Sequence, residues 1–152
     1  AAFVLKMLTE QFKLPLDNVD LKQYAAQLGS DVPFFIDNKP AFAEGRGEIM
    51  TPVDLDLSAY NIIIEKPEVS VSTREAYAHV RPHESDVNFA EVVRYVPVHE
   101  WKKYLYNDFE DSVFPKYPQI AEIKRKFYES GALYAAMSGS GSAVFGIFPK
   151  AR

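Results

Sequence analysis

Five consecutive small residues, from Ser138 to Ser142, precede an apolar run that is typical of a buried strand. Glycine adopts positive φ angles freely, so Gly139 and Gly141 allow neighbouring N–H groups to point the same way and form a concave anion site. The serine hydroxyls add donors at its rim. Gly139, Ser140 and Gly141 are therefore candidates for binding a phosphate-bearing ligand. The alternative is a flexible turn that joins two strands.

Asp31 lies in a second stretch with little steric cover, Gly29-Ser30-Asp31-Val32-Pro33. The Val-Pro pair predicts the start of a helix, and a helix N-terminus favours the ionised form of a nearby carboxyl group. An accessible carboxylate can accept or orient the proton of a substrate hydroxyl, as phosphoryl transfer requires. Asp31 is thus a candidate catalytic residue. The alternative is an ordinary N-cap before a proline-initiated helix.

Thr73 and Tyr77 lie four residues apart in a segment that is predicted to be helical. Ser72, followed three residues later by Glu75, has the pattern of a capping box. Residues four apart share a helix face, so a hydroxyl and an aromatic ring project together. The alternative for Tyr77 is a core aromatic residue.

Other polar residues give weaker indications of a site. His79, His83 and His99 lack the spacing of metal ligands, and surface positions are the favoured interpretation. The acidic residues Asp108, Glu110 and Asp111 could hold Mg²⁺, although a solvated helix start is the favoured interpretation. No metal site is therefore predicted.

Alternating helix and strand patterns predict the elements that position these residues. Helices are predicted over 1–12, 21–28, 72–80, 89–94, 98–106, 107–115 and 118–130. Strands are predicted in a hairpin over 41–51, in a central strand over 60–65 and on both sides of residues 138–142, the Ser/Gly loop. Residues 34–36 are predicted to pack inward. The fold class is α+β, with a polar connection over 54–59 between domains 1–57 and 58–152.

Composition limits the classes of partner and compartment. The chain has 152 residues, of which 47% are hydrophobic, enough for one sizeable core or two small ones. The net charge is −4 and the basic residues are dispersed, so we expect neither nucleic acid nor an anionic membrane as a partner. The absence of cysteine excludes disulfides and thiol catalysis and fits a reducing, cytoplasmic location.

The motifs together resemble the GHMP kinase superfamily. They are the stretches Leu28–Phe35, Gly45–Glu48, Pro67–Tyr77, Asn107–Glu110 and Ser138–Gly146. The resemblance spans essentially the whole chain and is greatest to bacterial members that use ATP to phosphorylate the 2-hydroxyl of a cytidine diphosphate-linked methylerythritol in non-mevalonate isoprenoid synthesis. A homoserine or mevalonate type of kinase and a non-catalytic ligand-binding module are the alternatives.

The resemblance implies a role for each candidate residue. Asp31 would orient or deprotonate the substrate hydroxyl, and Gly139, Ser140 and Gly141 would hold anionic oxygens. Thr73 and Tyr77 would recognise the substrate, with the tyrosine ring stacked on the cytosine. ATP and Mg²⁺ are implied by the reaction. The Asn107–Glu110 stretch would have a mainly structural role near the substrate cleft.

The resemblance also implies a domain for each part of the chain. Residues 1–57 would be the C-terminal part of the ATP-binding, catalytic domain, and residues 58–152 a ferredoxin-like α+β substrate-binding domain. The superfamily's Gly/Ser-rich loop for the ATP phosphates and its early lysine are not in the sequence. We therefore expect the C-terminal portion of a longer enzyme, inactive alone.

Overall fold

The structure is a computed structural model that describes residues 1–45, 47, 49–80 and 85–150. The chain divides into two compact units, Ala1–Leu55 and Asp56–Arg152. Their assignment to the two domains of a GHMP kinase stays a prediction. None of the helices in the described ranges has the length and apolar character needed to cross a membrane.

The first unit combines helices with a β-hairpin. Its described elements are α1 (Ala2–Gln11), α2 (Asn18–Leu28), α3 (Phe34–Asp37), β1 (Ala41–Glu44) and β2 (Ile49–Pro52). Helix α2 begins earlier than the predicted residue 21, because Asp17 and Asp20 form a capping box: the Asp17 carboxylate accepts from the Asp20 N–H at 2.9 Å, and the Asp20 carboxylate accepts from the Asp17 N–H at 3.1 Å. The core comprises Ala2, Leu21, Ala25 and Ile36.

The hairpin of the first unit is confirmed. Strands β1 and β2 are antiparallel, with Ala41 opposite Pro52 and Glu44 opposite Ile49. Of the intervening turn, Arg46 and Glu48 lie outside the described residues. The prediction that residues 34–36 all pack inward is wrong for Phe35, which is 55% exposed. In a single helical turn only one side of the helix meets the core, and here Ile36 occupies it.

The second unit contains a layer of helices and an antiparallel sheet. Its described elements are β3 (Tyr60–Glu65), α4 (Thr73–His79), α5 (Phe89–Tyr95), a 3₁₀ helix (Val98–Lys103), α6 (Phe109–Val113), α7 (Pro118–Glu129), β4 (Tyr134–Met137) and β5 (Val144–Pro149). The sheet order in the described residues is β3-β5-β4, with both pairings antiparallel. The predicted α+β class is confirmed.

The prediction that residues 60–65 form a central strand is wrong within the described sheet, where β3 lies at the edge and β5 at the centre. Ile62, Ile63 and Ile64 are 52%, 48% and 70% exposed. A run of β-branched residues favours a strand but does not indicate whether that strand pairs with one or two neighbouring strands. The position in the sheet depends on residues at the far end of the chain.

Helix α7 packs against β4 and β5 and forms the core of the second unit. Ile120, Ile123 and Phe127 point from this helix into the core. Gly146 allows the close approach, since a Cβ added there would lie 2.8 Å from Cδ2 of Phe127. The sheet and α7 thus form a packed base from which the Ser/Gly loop projects between β4 and β5.

Candidate functional site

The Ser/Gly loop is a tight connection in which Gly139 and Ser140 have free backbone donors. Ser138 N–H donates to the Ala143 carbonyl at 2.8 Å, and Gly141 N–H donates to the Ser138 carbonyl at 3.0 Å. Gly139 and Gly141 have φ angles of +54° and +89°. In the part of the chain that the structure describes, the N–H groups of Gly139 and Ser140 donate to no protein acceptor. These two groups are available to a bound anion.

The two glycines of the loop meet different surroundings. A Cβ added at Gly139 would have no atom within 4 Å, whereas one added at Gly141 would lie 2.8 Å from Sδ of Met137. Gly139 therefore borders open space and Gly141 is packed against the core. Because the Gly141 N–H is already bonded within the loop, this residue contributes shape rather than a donor.

Helix α4 begins with the predicted cap and is fixed by an ion pair. The Ser72 hydroxyl accepts from the Glu75 N–H at 3.4 Å. The Glu75 carboxylate does not complete a capping box, because it accepts from Lys116 Nζ at 2.9 Å and from the Tyr117 hydroxyl at 3.4 Å. The hydrogen bond from Lys116 is the main reason that the pKa of Glu75 lies below its ordinary value of 4.5. This contact fixes α4 to the segment between α6 and α7.

Thr73 and Ser140 bring α4 and the Ser/Gly loop together. Their hydroxyl oxygens are 3.3 Å apart, within hydrogen-bond distance. Tyr77, one helical turn beyond Thr73, is 63% exposed and meets the Phe109 ring edge to face, with the centroids 4.8 Å apart. The alternative of a core role for Tyr77 is therefore wrong. The free N–H groups, two hydroxyls and an exposed aromatic ring belong to neighbouring elements of one unit.

Asp31 belongs to the first unit and has an exposed carboxylate. The Ser30 hydroxyl donates to its Oδ1 at 3.2 Å. The predicted helix start is displaced: α3 is a single turn that begins at Phe34, so little helix dipole acts on Asp31. A Cβ added at Gly47 would lie 3.5 Å from Oδ1 of Asp31, so the glycine leaves space beside the carboxylate.

Glu110 does not lie in the predicted solvated helix start, and Asn107 makes contacts that the sequence does not indicate. Glu110 was expected in a solvated helix start, but it is buried, and its carboxylate pairs with Lys124 and accepts from the Met137 N–H at 2.8 Å. Asn107 bonds to the backbone of the Ser/Gly loop. The useful sequence signal was an asparagine just before a helix start, which is typical of a cap.

The histidines do not form a site in the described residues. His79 and His99 are exposed, and His83 lies outside those residues. No group of three or more His, Cys, Asp or Glu side chains suited to a metal ion occurs in the described ranges.

Comparisons with known proteins identify the family. Residues 98–152 match the family described as GHMP kinases C terminal. Residues 98–152 belong to the C-terminal region of the GHMP kinases. The predicted family is confirmed, and the Ser/Gly loop, β4 and β5 lie within this GHMP kinase region.

Two curated relatives and a solved structure extend the similarity to almost the whole chain. The chain is 56% identical over 148 residues to the 4-diphosphocytidyl-2-C-methyl-D-erythritol kinase of Bacteroides fragilis, covering 97% of this chain and 54% of that kinase. It is 44% identical over 149 residues to the kinase of the same name from Porphyromonas gingivalis, with the same two coverages of 97% and 54%. A crystal structure of 4-(cytidine 5'-diphospho)-2C-methyl-D-erythritol kinase matches with a TM-score of 0.79 and 29% identity, over 97% of this chain and 53% of that one. The chain thus spans about half the length of the curated relatives that it matches.

Proposed function

We propose that the protein to which this chain belongs transfers a phosphoryl group from ATP to the 2-hydroxyl of 4-diphosphocytidyl-2-C-methyl-D-erythritol. Identity of 56% over 148 residues to a kinase of that name supports the proposal. The observation that carries it is the exposed ring of Tyr77 on the helix whose Thr73 contacts Ser140 of the Ser/Gly loop. Together they suit a ligand with a base and anionic groups.

Tyr77 would recognise the cytosine by stacking. Its ring is 63% exposed and is held edge to face by Phe109. An aromatic face that is fixed in this way loses little conformational entropy when a base stacks on it. The Thr73 hydroxyl, one turn earlier, would bind a polar group of the same ligand.

The Ser/Gly loop would bind anionic oxygens of the substrate or of the transferred phosphoryl group. The N–H groups of Gly139 and Ser140 are free donors in the described part of the chain, and the open space at Gly139 admits a ligand. Donors fixed before binding stabilise developing charge without reorganising. The Ser140 hydroxyl would add a further donor.

Asp31 would act on the substrate hydroxyl. Its exposed carboxylate accepts a hydrogen bond from Ser30 at 3.2 Å and keeps lone pairs for a second partner. It would orient the 2-hydroxyl for attack and accept its proton.

Mg²⁺ would be held mainly by the phosphates of ATP. Mg²⁺ is often bound by substrate phosphates with one or two carboxylates rather than by an all-protein cage. That chemistry suits the described residues, among which no three metal-binding side chains are grouped. The ion would neutralise charge on the phosphates during transfer.

The experiment is an acceptor panel with the full-length enzyme. Release of ADP is measured with the cytidine-bearing substrate, homoserine and mevalonate, and with cytidine monophosphate as a competitor. We expect turnover of the cytidine-bearing substrate alone and competition by cytidine monophosphate against that substrate. Turnover of homoserine or mevalonate would support another GHMP kinase, and binding of a ligand without ADP release would support a non-catalytic module.

A further inference from the structure

Asn107 lies two residues before the start of α6 and uses its side-chain amide to join three backbone groups. Its Nδ2 donates to the Met137 carbonyl at 2.8 Å and to the Gly139 carbonyl at 2.7 Å. Its Oδ1 accepts from the Phe109 N–H at 3.0 Å. Both N–H bonds of the amide are therefore used on the backbone on either side of Ser138, and its oxygen accepts from the first N–H of α6.

The bond to the Gly139 carbonyl sets the direction of a donor in the loop. This carbonyl belongs to the same planar peptide unit as the Ser140 N–H, and the two groups point in opposite directions. An anchor on the carbonyl therefore turns the N–H away from Asn107. The same bond polarises the peptide unit and makes the N–H a stronger donor.

Met137, the last residue of β4, has both of its backbone polar groups bonded to side chains. Asn107 donates to the Met137 carbonyl, while Glu110 accepts from the Met137 N–H at 2.8 Å. The Glu110 carboxylate also pairs with Lys124 of α7. The Ser/Gly loop thus begins directly after Met137, whose N–H and carbonyl are both fixed by side chains of the Asn107–Glu110 stretch.

The oxygen of Asn107 extends the effect to the aromatic ring. It caps the N–H of Phe109, whose ring contacts Tyr77 with centroids 4.8 Å apart. The Asn107 side chain therefore contacts both the peptide unit that carries the Ser140 N–H and the residue whose ring packs on Tyr77. We propose that Asn107 is a positioning residue that holds the anion donors of the loop in register with the base-binding ring. The kinetic part of this proposal rests on the proposed function.

The test compares Asn107→Asp with Asn88→Asp in the full-length enzyme. Both changes add the same charge and keep a carboxylate oxygen for the helix cap, since Asn88 Oδ1 accepts from the Glu91 N–H at 3.2 Å. Only Asn107→Asp removes the side-chain N–H groups that donate to the Met137 and Gly139 carbonyls. It also places a carboxylate oxygen against those two carbonyl oxygens. Deuterium exchange is followed at the Ser138 and Gly141 N–H groups, which are hydrogen-bonded within the loop, and kcat and both KM values are measured. Asn107→Ala is the variant to use if Asn107→Asp does not fold.

We expect faster exchange in the loop and a roughly tenfold rise in the KM of the anionic substrate that the loop binds for Asn107→Asp, and neither change for Asn88→Asp. Unchanged exchange in the loop would overturn the positioning role. Faster exchange with unchanged KM and kcat would overturn the link to ligand binding. If the unmodified enzyme released no ADP, the proposed function would fail, while the exchange result would still decide whether Asn107 orders the loop.

Discussion

Replacement of Tyr77 by alanine separates ligand binding from packing. The ring is 63% exposed and its described aromatic partner is Phe109, so its removal should cost about 0.5–1.5 kcal/mol of unfolding free energy, the contribution of one edge-to-face pair. Loss of stacking on a base should cost roughly 1–3 kcal/mol of binding, which is about a 5- to 150-fold rise in KM. The effect on binding should therefore exceed the effect on stability.

The assay measures KM for the cytidine-bearing substrate and for ATP, together with urea unfolding of the same full-length variants. Tyr77→Phe keeps the aromatic face and should change the first KM little. Tyr95→Ala serves as the control, because Tyr95 is also a helical tyrosine and is 70% exposed. A loss of about 3–5 kcal/mol in stability for Tyr77→Ala, as for a core aromatic, or an equal rise in both KM values, would refute the reasoning.

Three further predictions concern other residues. Asp31→Asn should lower kcat by at least about a hundredfold with little change in KM, because the amide keeps the size of the side chain but cannot accept the proton; turnover within tenfold of the unmodified enzyme would remove Asp31 from the mechanism. Gly139→Ala and Gly141→Ala both place a Cβ at a positive φ angle, but the Cβ at Gly139 meets open space while the one at Gly141 meets Met137 at 2.8 Å, so Gly139→Ala should mainly raise KM and Gly141→Ala should mainly lower stability; equal effects on KM would argue against different roles. Lys116 lowers the pKa of Glu75, so Glu75→Gln should lower the unfolding free energy above about pH 4.5, and this loss should disappear as the pH falls through the lowered pKa. A difference in unfolding free energy between the two proteins that does not vary with pH would contradict this.

Local signals in the sequence predicted most of the elements. Ser72 caps α4 as its spacing with Glu75 indicated, and Pro118 begins α7. These features depend on neighbouring residues, so a sequence pattern records them. The hairpin over β1 and β2 and the strands on both sides of the Ser/Gly loop were predicted for the same reason.

Contacts between residues that are distant in the chain could not be predicted from local sequence patterns. Glu75 bonds to Lys116 across 41 positions, and Asn107 bonds to Gly139 across 32. A capping pattern cannot show that a carboxylate has a stronger partner elsewhere in the fold. The burial of Glu110 likewise depends on Lys124, a residue of a different helix. Acidic residues at a helix start are usually solvated, so the sequence favoured the wrong environment.

The exposure of Tyr77 also required the fold. Spacing on a helix shows which residues share a face but not which face meets the core. In α4 the buried position is Ala76, which leaves the next residue, Tyr77, at the surface beside Phe109. The candidate residues were found by type and spacing, whereas their contacts with one another came from packing.

The product of the reaction tests the central claim most directly. The full-length enzyme is incubated with ATP and 4-diphosphocytidyl-2-C-methyl-D-erythritol, and the product is examined by phosphorus NMR. The account predicts one ADP for each product molecule and a new phosphomonoester on the 2-hydroxyl, with the diphosphate bridge intact. A phosphate on another hydroxyl, cleavage of the bridge, or ADP release without a phosphorylated acceptor would contradict it.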